Sequence, residues 1–201
     1  MQGTLIVAEP QAAPPAMIPD KSVTRKIGKD VLFETASSQK AFKTLAPPSK
    51  SNQKIVANQK TNNDSLKVLN DGKLAKGFGP IFANEVKDGA YKINLGKPQD
   101  ISAITSWAYT QGGQRNAQNI AIFASAQTND PGWNVGDTKV FTSLGTISTK
   151  GQKLDAFTAL SLRSQNGKPL GKFQWIVWQV SPVSKSGENT AFQELAVETK
   201  P

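Results

Sequence analysis

The 201-residue chain contains no histidine and no cysteine. Without histidine it lacks the side chain that most often serves as general base or metal ligand near neutral pH. Without cysteine it has no thiol nucleophile, no zinc–thiolate site and no disulfide. Ser-His-Asp and Cys-His catalysis are excluded within the chain, which leaves carboxylate, lysine or oxygen-ligated metal chemistry. Arginine is also scarce, limited to Arg25, Arg115 and Arg163. Nucleic-acid surfaces favour clustered arginine with interleaved aromatics, so this composition argues against such a partner. No stretch approaches the ~20 apolar residues of a membrane-spanning helix. The run Thr4–Ala8 is shorter than the roughly 7–15-residue core of a signal peptide. These absences favour a binding or structural module over an enzyme.

What is present is mostly lysine. Lys plus Arg total 24 against 15 acids, a formal charge of +9. Residues 1–60 hold nine bases and four acids, a net +5. That segment reads as a solvated basic extension, with an anionic polymer or lipid surface as the alternative partner. Pro10, Pro14, Pro15 and Pro19 disfavour helix and sheet interior, so they predict an extended N-terminal arm. The organisation expected is a Pro/Lys-rich arm with loops over residues 1–50, with Val31–Phe33 as a first strand, and one folded unit over 51–201. Met1-Gln2-Gly3 resembles a start placed on a processed chain. Secretion or periplasmic export, with the signal removed, is the corresponding expectation.

From Lys54 onward, short apolar runs alternate with turn residues. The runs are Lys54–Ala57, Ala90–Leu95, Ile101–Tyr109, Ile120–Ala126, Lys139–Ile147, Ala159–Leu162, Phe173–Val180 and Phe192–Val197. In Ile101–Tyr109, Ile101, Ala103, Thr105 and Trp107 share a face, which predicts a strand with its other face in solvent. Phe173–Val180 is apolar on both faces and predicts a strand in the middle of a sandwich, with Trp175 and Trp178 packed in the core. Asn70-Asp71-Gly72, Asp88-Gly89, Gly112-Gly113, Asp130-Pro131-Gly132 and Asn166-Gly167 mark turns. No dozen-residue window keeps a 3.6 period. The pattern predicts an all-β protein, an antiparallel β-sandwich of about eight strands.

The order of these signals carries a resemblance. Val68-Leu69-Asn70-Asp71-Gly72 precedes Ala90–Gly96 and the Ile101-Ser102-Ala103-Ile104 strand. Arg115 with Gln118, Ile120–Ser125, Asn129–Trp133, Phe173–Trp178 and Phe192–Val197 follow. This succession, over roughly residues 50–200, resembles the discoidin-like, coagulation-factor type C domains of the galactose-binding-domain-like superfamily. The resemblance implies a jelly-roll sandwich whose ligand sits on loops at one end.

It also implies site residues. For a saccharide these are Arg115 with Gln114 and Asn116, plus Tyr109 and Trp133 as aromatic platforms; amides donate and accept, and an aromatic ring covers the apolar face of a sugar. Arg115 has two readings, a sugar contact or a fastener of loop carbonyls. The family's structural Ca²⁺ would fall on Asp71 and Glu194. However, Lys73 and Lys76 stand where the family has small polar residues, and ammonium groups there oppose a divalent ion. The alternative is a metal-free polar bridge or capped turn, with lysine pairing Glu194. For membrane attachment the loop Gly77–Phe82 offers hydrophobic spikes; Phe78 stands where the family has a buried Trp, which leaves Ile81 or Phe82 exposed.

The function expected is therefore non-catalytic recognition of a saccharide or cell-surface glycan. The alternatives are a structural or protein-interaction domain without a sugar site, and attachment to an anionic membrane surface.

Overall fold

The computed structural model describes residues 23–83, 85–86, 88–166, 168–184 and 188–200. The Pro-rich run at Pro10–Pro19 lies outside these residues. Strands dominate, and they form two antiparallel sheets that share one long strand. The first sheet runs β2 (Ile55–Ala57), the first half of β5 (Gly89–Tyr109), β9 (Lys172–Ser181), β6 (Asn119–Ser125) and β7 (Thr142–Ser148). The second runs β10 (Phe192–Thr199), the second half of β5, β8 (Phe157–Arg163) and β1 (Val31–Ala36). Eight strands thus make the sandwich. A separate two-stranded ribbon joins β3 (Thr61–Asn63) to β4 (Pro80–Phe82).

The two apolar runs Ala90–Leu95 and Ile101–Tyr109 are one bent strand. The corner falls at Leu95–Pro98, where pairing with β9 breaks between Asn94 and Gln99. Gly96 takes φ +81°, and the Asn94 side chain accepts its N–H at 2.8 Å. Glycine enters that region without a Cβ penalty, and Pro98 has no N–H to offer a ladder. Past the corner, β5 leaves β9 and pairs with β8 and β10.

The main core lies between the sheets. Tyr91, Ile93, Ile120, Ile122, Ile176 and Trp178 from one sheet meet Ile104, Ala108, Leu160, Leu162, Phe192 and Leu195 from the other. Trp175 is also buried, and its indole N–H donates to the Gln127 carbonyl at 2.8 Å. In β9, Val177 belongs to a second apolar cluster on the outer face, so this strand is covered on both sides as its sequence requires.

The face of Ile101–Tyr109 expected in solvent, that of Ile104, Ser106 and Ala108, is instead buried, with Ile104 and Ala108 in the main core. Trp107 is buried on the outer face with Phe42, Leu45, Leu74 and Phe157. This outer face is covered by the segment between β1 and β2, which folds back over the second sheet. Its Leu45 carbonyl accepts the Trp107 indole N–H at 2.8 Å. Glu34 on β1 clamps the same segment, accepting N–H bonds from Lys43, from Thr44 at 3.0 Å and from Leu45 at 2.9 Å. Further upstream, Thr24 bridges Thr146, and the Arg25 side chain bonds the Leu144 carbonyl and Asp30. This covers the edge of β7, a position that otherwise invites pairing with another chain.

Partial burial pulls the Glu34 carboxyl upward, but the three amide N–H groups and the Lys43 charge outweigh it and hold its pKa below the ordinary value. A lowered carboxyl pKa adds stability above the unfolded-state value, and that contribution is lost as pH falls through the folded-state value. Glu34→Gln should therefore cost about 1 kcal/mol in urea unfolding at pH 7. The deficit should shrink as pH falls through the lowered folded-state pKa, because the native carboxylate is then protonated as well.

Candidate functional site

Described residues of four connections meet at one end of the sandwich: those between β4 and β5, β5 and β6, β7 and β8, and β9 and β10. Buried bonds lock them together. Ala191 N–H donates to the Arg115 carbonyl at 2.7 Å, Tyr109 N–H to Ala191 at 3.0 Å and Thr110 N–H to Ala156 at 2.9 Å. The Thr190 hydroxyl donates to Ala117 at 2.6 Å, and the Asn189 amide bonds the carbonyls of Phe82 and Ala83 at 2.9 and 2.8 Å.

Arg115 reaches across this end. One guanidinium N–H bonds the Asn189 carbonyl at 3.2 Å and another pairs with Glu188 at 3.1 Å. Its side chain is 14% exposed, and the guanidinium carbon stands 5.4 Å from the Phe78 ring centre. Phe78 is pushed outward by its flanks. A Cβ on Gly79, at φ +64°, would collide with the Phe192 carbonyl oxygen, so only glycine lets this turn lie against the start of β10. The Gln193 amide pins the Gly77 carbonyl at 2.8 Å. Phe78 is left on the rim, 38% exposed, beside a hollow of about 270 Å³ that Asn62, Asn63, Glu85 and Arg115 also line.

Ile81 and Phe82, the expected spikes, are buried. Phe82 packs on Tyr91 at 4.9 Å and against Gly89. The exposed aromatic is Phe78 instead, and Asn62, Asn63, Glu85 and Glu188 join it unforeseen. The available signal was glycine on both sides of Phe78, which marks a turn tip rather than a core position.

The other site residues disperse. Gln114 and Asn116 line a neighbouring hollow of about 650 Å³ with Thr149, Gln152 and Asp155. Asn116 is buried, and its amide donates to the Asp155 carbonyl. Tyr109 stacks on Phe157 at 4.8 Å beneath the second sheet. Trp133 stands at the opposite end, in the connection that leaves β6 at Ser125, whereas the Arg115 loop enters β6 at Asn119.

Trp133 has a structural partner there. The Lys92 ammonium lies 4.2 Å from the Trp133 ring centre and 5.3 Å from that of Trp175. Lys92 is 1% exposed, pairs with Asp130 and donates to the Gly132 carbonyl at 3.1 Å. Burial raises the Asp130 pKa, but the Lys92 ammonium and the Gly132 N–H outweigh it and leave it below the ordinary value.

Glu194 on β10 is fully buried. Its Oε1 accepts N–H bonds from Gly72 at 2.7 Å and Lys73 at 3.2 Å. Burial drives its pKa up to about 8, the two amides counter this, and the facing Asp71 carboxyl raises it further. Its Oε2 is buried without a hydrogen-bond partner. Lys73 and Lys76 have exposed side chains and form no ion pair with Glu194 among the described residues. Lysine thus meets Glu194 through its backbone amide alone. Raised to about 8, the Glu194 carboxyl holds its proton at neutral pH and faces Asp71; the same two carboxyls would serve an oxygen-ligated cation only with further ligands from carbonyls.

No protein-family model matches the sequence, and no curated protein does. Solved structures do. The C-terminal domain of a chitobiase from Bacteroides fragilis superposes with TM-score 0.51 at 18% identity, covering 77% of this chain and 97% of that one. A Clostridium perfringens protein solved as two CBM32 modules with an M60 catalytic domain matches with TM-score 0.51 at 13% identity, covering 86% of this chain and 17% of the other. The chain shares the β-sandwich fold of these structures, in line with the resemblance that its motif order carries. A further CBM32 module from C. perfringens is 18% identical, with TM-score 0.49, and covers 75% of this chain and 96% of its own. In this fold the β5 corner and the cross-bonded end loops are distinct regions, and Trp133 belongs with the former. Trp133→Ala should therefore lower unfolding stability by about 2 kcal/mol, through lost packing and cation–π contact, while leaving any ligand affinity of the Phe78 end within twofold of the wild type.

Proposed function

We propose that the chain is a non-catalytic carbohydrate-binding module that takes a neutral sugar in the hollow bordered by Phe78, Arg115, Asn62 and Asn63. The observation that carries this reading is the exposure of Phe78. Among the described residues, the large apolar side chains left exposed are Phe78 and Val23, and Phe78 alone of the two borders a hollow. A sugar ring presents an apolar C–H face and a rim of hydroxyls. Phe78 offers the matching flat surface. Arg115 has five N–H donors, of which two hold Asn189 and Glu188, so others remain for hydroxyl oxygens. Asn62 and Asn63 add groups that donate and accept. The fastener and sugar-contact readings of Arg115 are compatible: its bonds to Asn189 and Glu188 fix the guanidinium before ligand arrives, which reduces the ordering cost of binding. The carbohydrate-binding modules among the structural neighbours support the class of ligand.

With this reading goes a structural Ca²⁺ held by Asp71 and Glu194. It would supply the positive charge that Glu194 Oε2 lacks and tie β10 to the turn at Gly72.

Calorimetry against a panel of neutral mono- and disaccharides should find at least one ligand. Phe78→Ala should weaken it roughly tenfold while the protein stays folded, at a stability cost of about 1 kcal/mol, because Phe78 is only 38% exposed. A folded protein that binds no saccharide on the panel overturns the reading. Separately, Ca²⁺ at ~100-fold excess over its Kd should raise Tm by about 5–10 °C. Glu194→Gln should abolish that rise.

A further inference from the structure

A second concave surface lies on the flank of the sandwich, away from the end loops. It is a groove of about 660 Å³ between the chain entering β2 and the single 3₁₀ turn Leu66–Asn70. Its two walls are fastened together: Ser51 N–H donates to the Asn70 carbonyl at 2.9 Å, and the Asn70 amide donates back to the Gln53 carbonyl. The groove is thus shaped before any ligand enters.

Its lining combines two chemistries. Ile55, Leu66 and Val68 provide an aliphatic surface, and Lys50, Lys54 and Lys67 stand around it. These three lysines are exposed and form no ion pair among the described residues. One acidic residue, Asp71, borders the groove, and its carboxyl is engaged by the Lys73 N–H at 2.9 Å and by Glu194. Like charges gathered around a cleft with apolar walls focus a positive field into it. Three ammonium groups around one groove outnumber its single carboxyl, and an anion would offset that excess.

We propose that this groove is a second binding site, for a saccharide carrying sulfate or carboxylate groups. A sugar ring would lie on the aliphatic surface while its anionic substituents meet the lysines, and a groove of this volume suits one or two rings. The lining holds no aromatic side chain for base stacking and no arginine fork, which argues against a nucleic acid. The exposed apolar residues Phe78 and Val23 lie outside the groove, so it has no hydrophobic anchor for a bilayer. This site is independent of the hollow at Phe78.

The test is calorimetric titration with a heparin hexasaccharide, its desulfated counterpart and a neutral hexasaccharide, at low and raised NaCl. The heparin hexasaccharide is expected to bind and to weaken with salt. Lys50→Gln/Lys54→Gln/Lys67→Gln should lose affinity roughly tenfold or more, since each lysine supplies a charge-assisted contact. Lys97→Gln/Lys139→Gln/Lys168→Gln, which has the same net charge, should stay within twofold, as should Phe78→Ala. Binding that survives desulfation assigns the contact to carboxylates, and binding lost with it assigns sulfate. Four results overturn the proposal: no binding of either anionic sugar, equal binding of the neutral one, equal losses in the two triple variants, or loss in Phe78→Ala. Preferential binding of the wild type to phosphatidylserine vesicles over the sugars overturns it as well.

Discussion

Everything at the end of this sandwich depends on one strand that serves two sheets. Before its corner β5 is hydrogen-bonded to β2 and β9, and after it to β8 and β10, so it is interior in both halves. Its corner at Gly96 fixes how the sheets lie, and its exit at Tyr109 fixes where the Arg115 loop begins. The core continues into that loop as a polar network. The Ser106 hydroxyl bonds the Gln118 amide oxygen at 2.6 Å, and the Gln118 amide donates to the Thr158 hydroxyl at 3.0 Å. Fully satisfied buried networks of this kind rigidify what they join. Arg115, three residues from Gln118, is consequently presented from a fixed base rather than from a free loop.

The strands were legible because each is a short apolar run cut off by glycine, asparagine or aspartate. The runs from Lys54–Ala57 to Phe192–Val197 coincide with β2 and β5 to β10 within a few residues. What pattern could not supply was tertiary cover. The alternation in Ile101–Tyr109 implies a solvated face on the side of Ile104 and Ala108, but that side turns into the main core, and the Trp107 side is roofed by the Leu45 segment, which is distant in sequence and carries no strand pattern. The ribbon β3–β4 was equally hidden, since Thr61-Asn62-Asn63 reads as loop and pairs only because Pro80–Phe82 passes beside it.

The candidate site was half legible for a related reason. Aromatic residues near turns are ambiguous between lid and platform, and the deciding partner lies elsewhere in the chain. For Trp133 it is Lys92. Register places Lys92 opposite Val177, on the outer face of a strand whose neighbours are apolar. A lysine there must be paired and covered, and Asp130 with Trp133 does both. For Phe78 the partner out of sight is the start of β10, whose Phe192 carbonyl leaves no room for a Cβ at position 79 and so requires the glycine turn beside the ring.

Charge follows the same division of labour. All three arginines are tied to carboxylates: Arg25 to Asp30, Arg115 to Glu188, Arg163 to Glu198. A planar fork with five donors suits that task, because it can hold a carboxylate and a carbonyl at once, as Arg115 does. The lysines of the 50–67 groove have no such duty, and their compact charges are left facing solvent. At the Phe78 hollow Arg115 is paired with Glu188 and Glu85 adds one negative charge, whereas the flank groove is positive. A protein of net +9 can in this way offer a nearly neutral surface to hydroxyls at one place and a cationic one to anions at another. The separation is set by which basic side chain the sequence puts at each, not by the total charge.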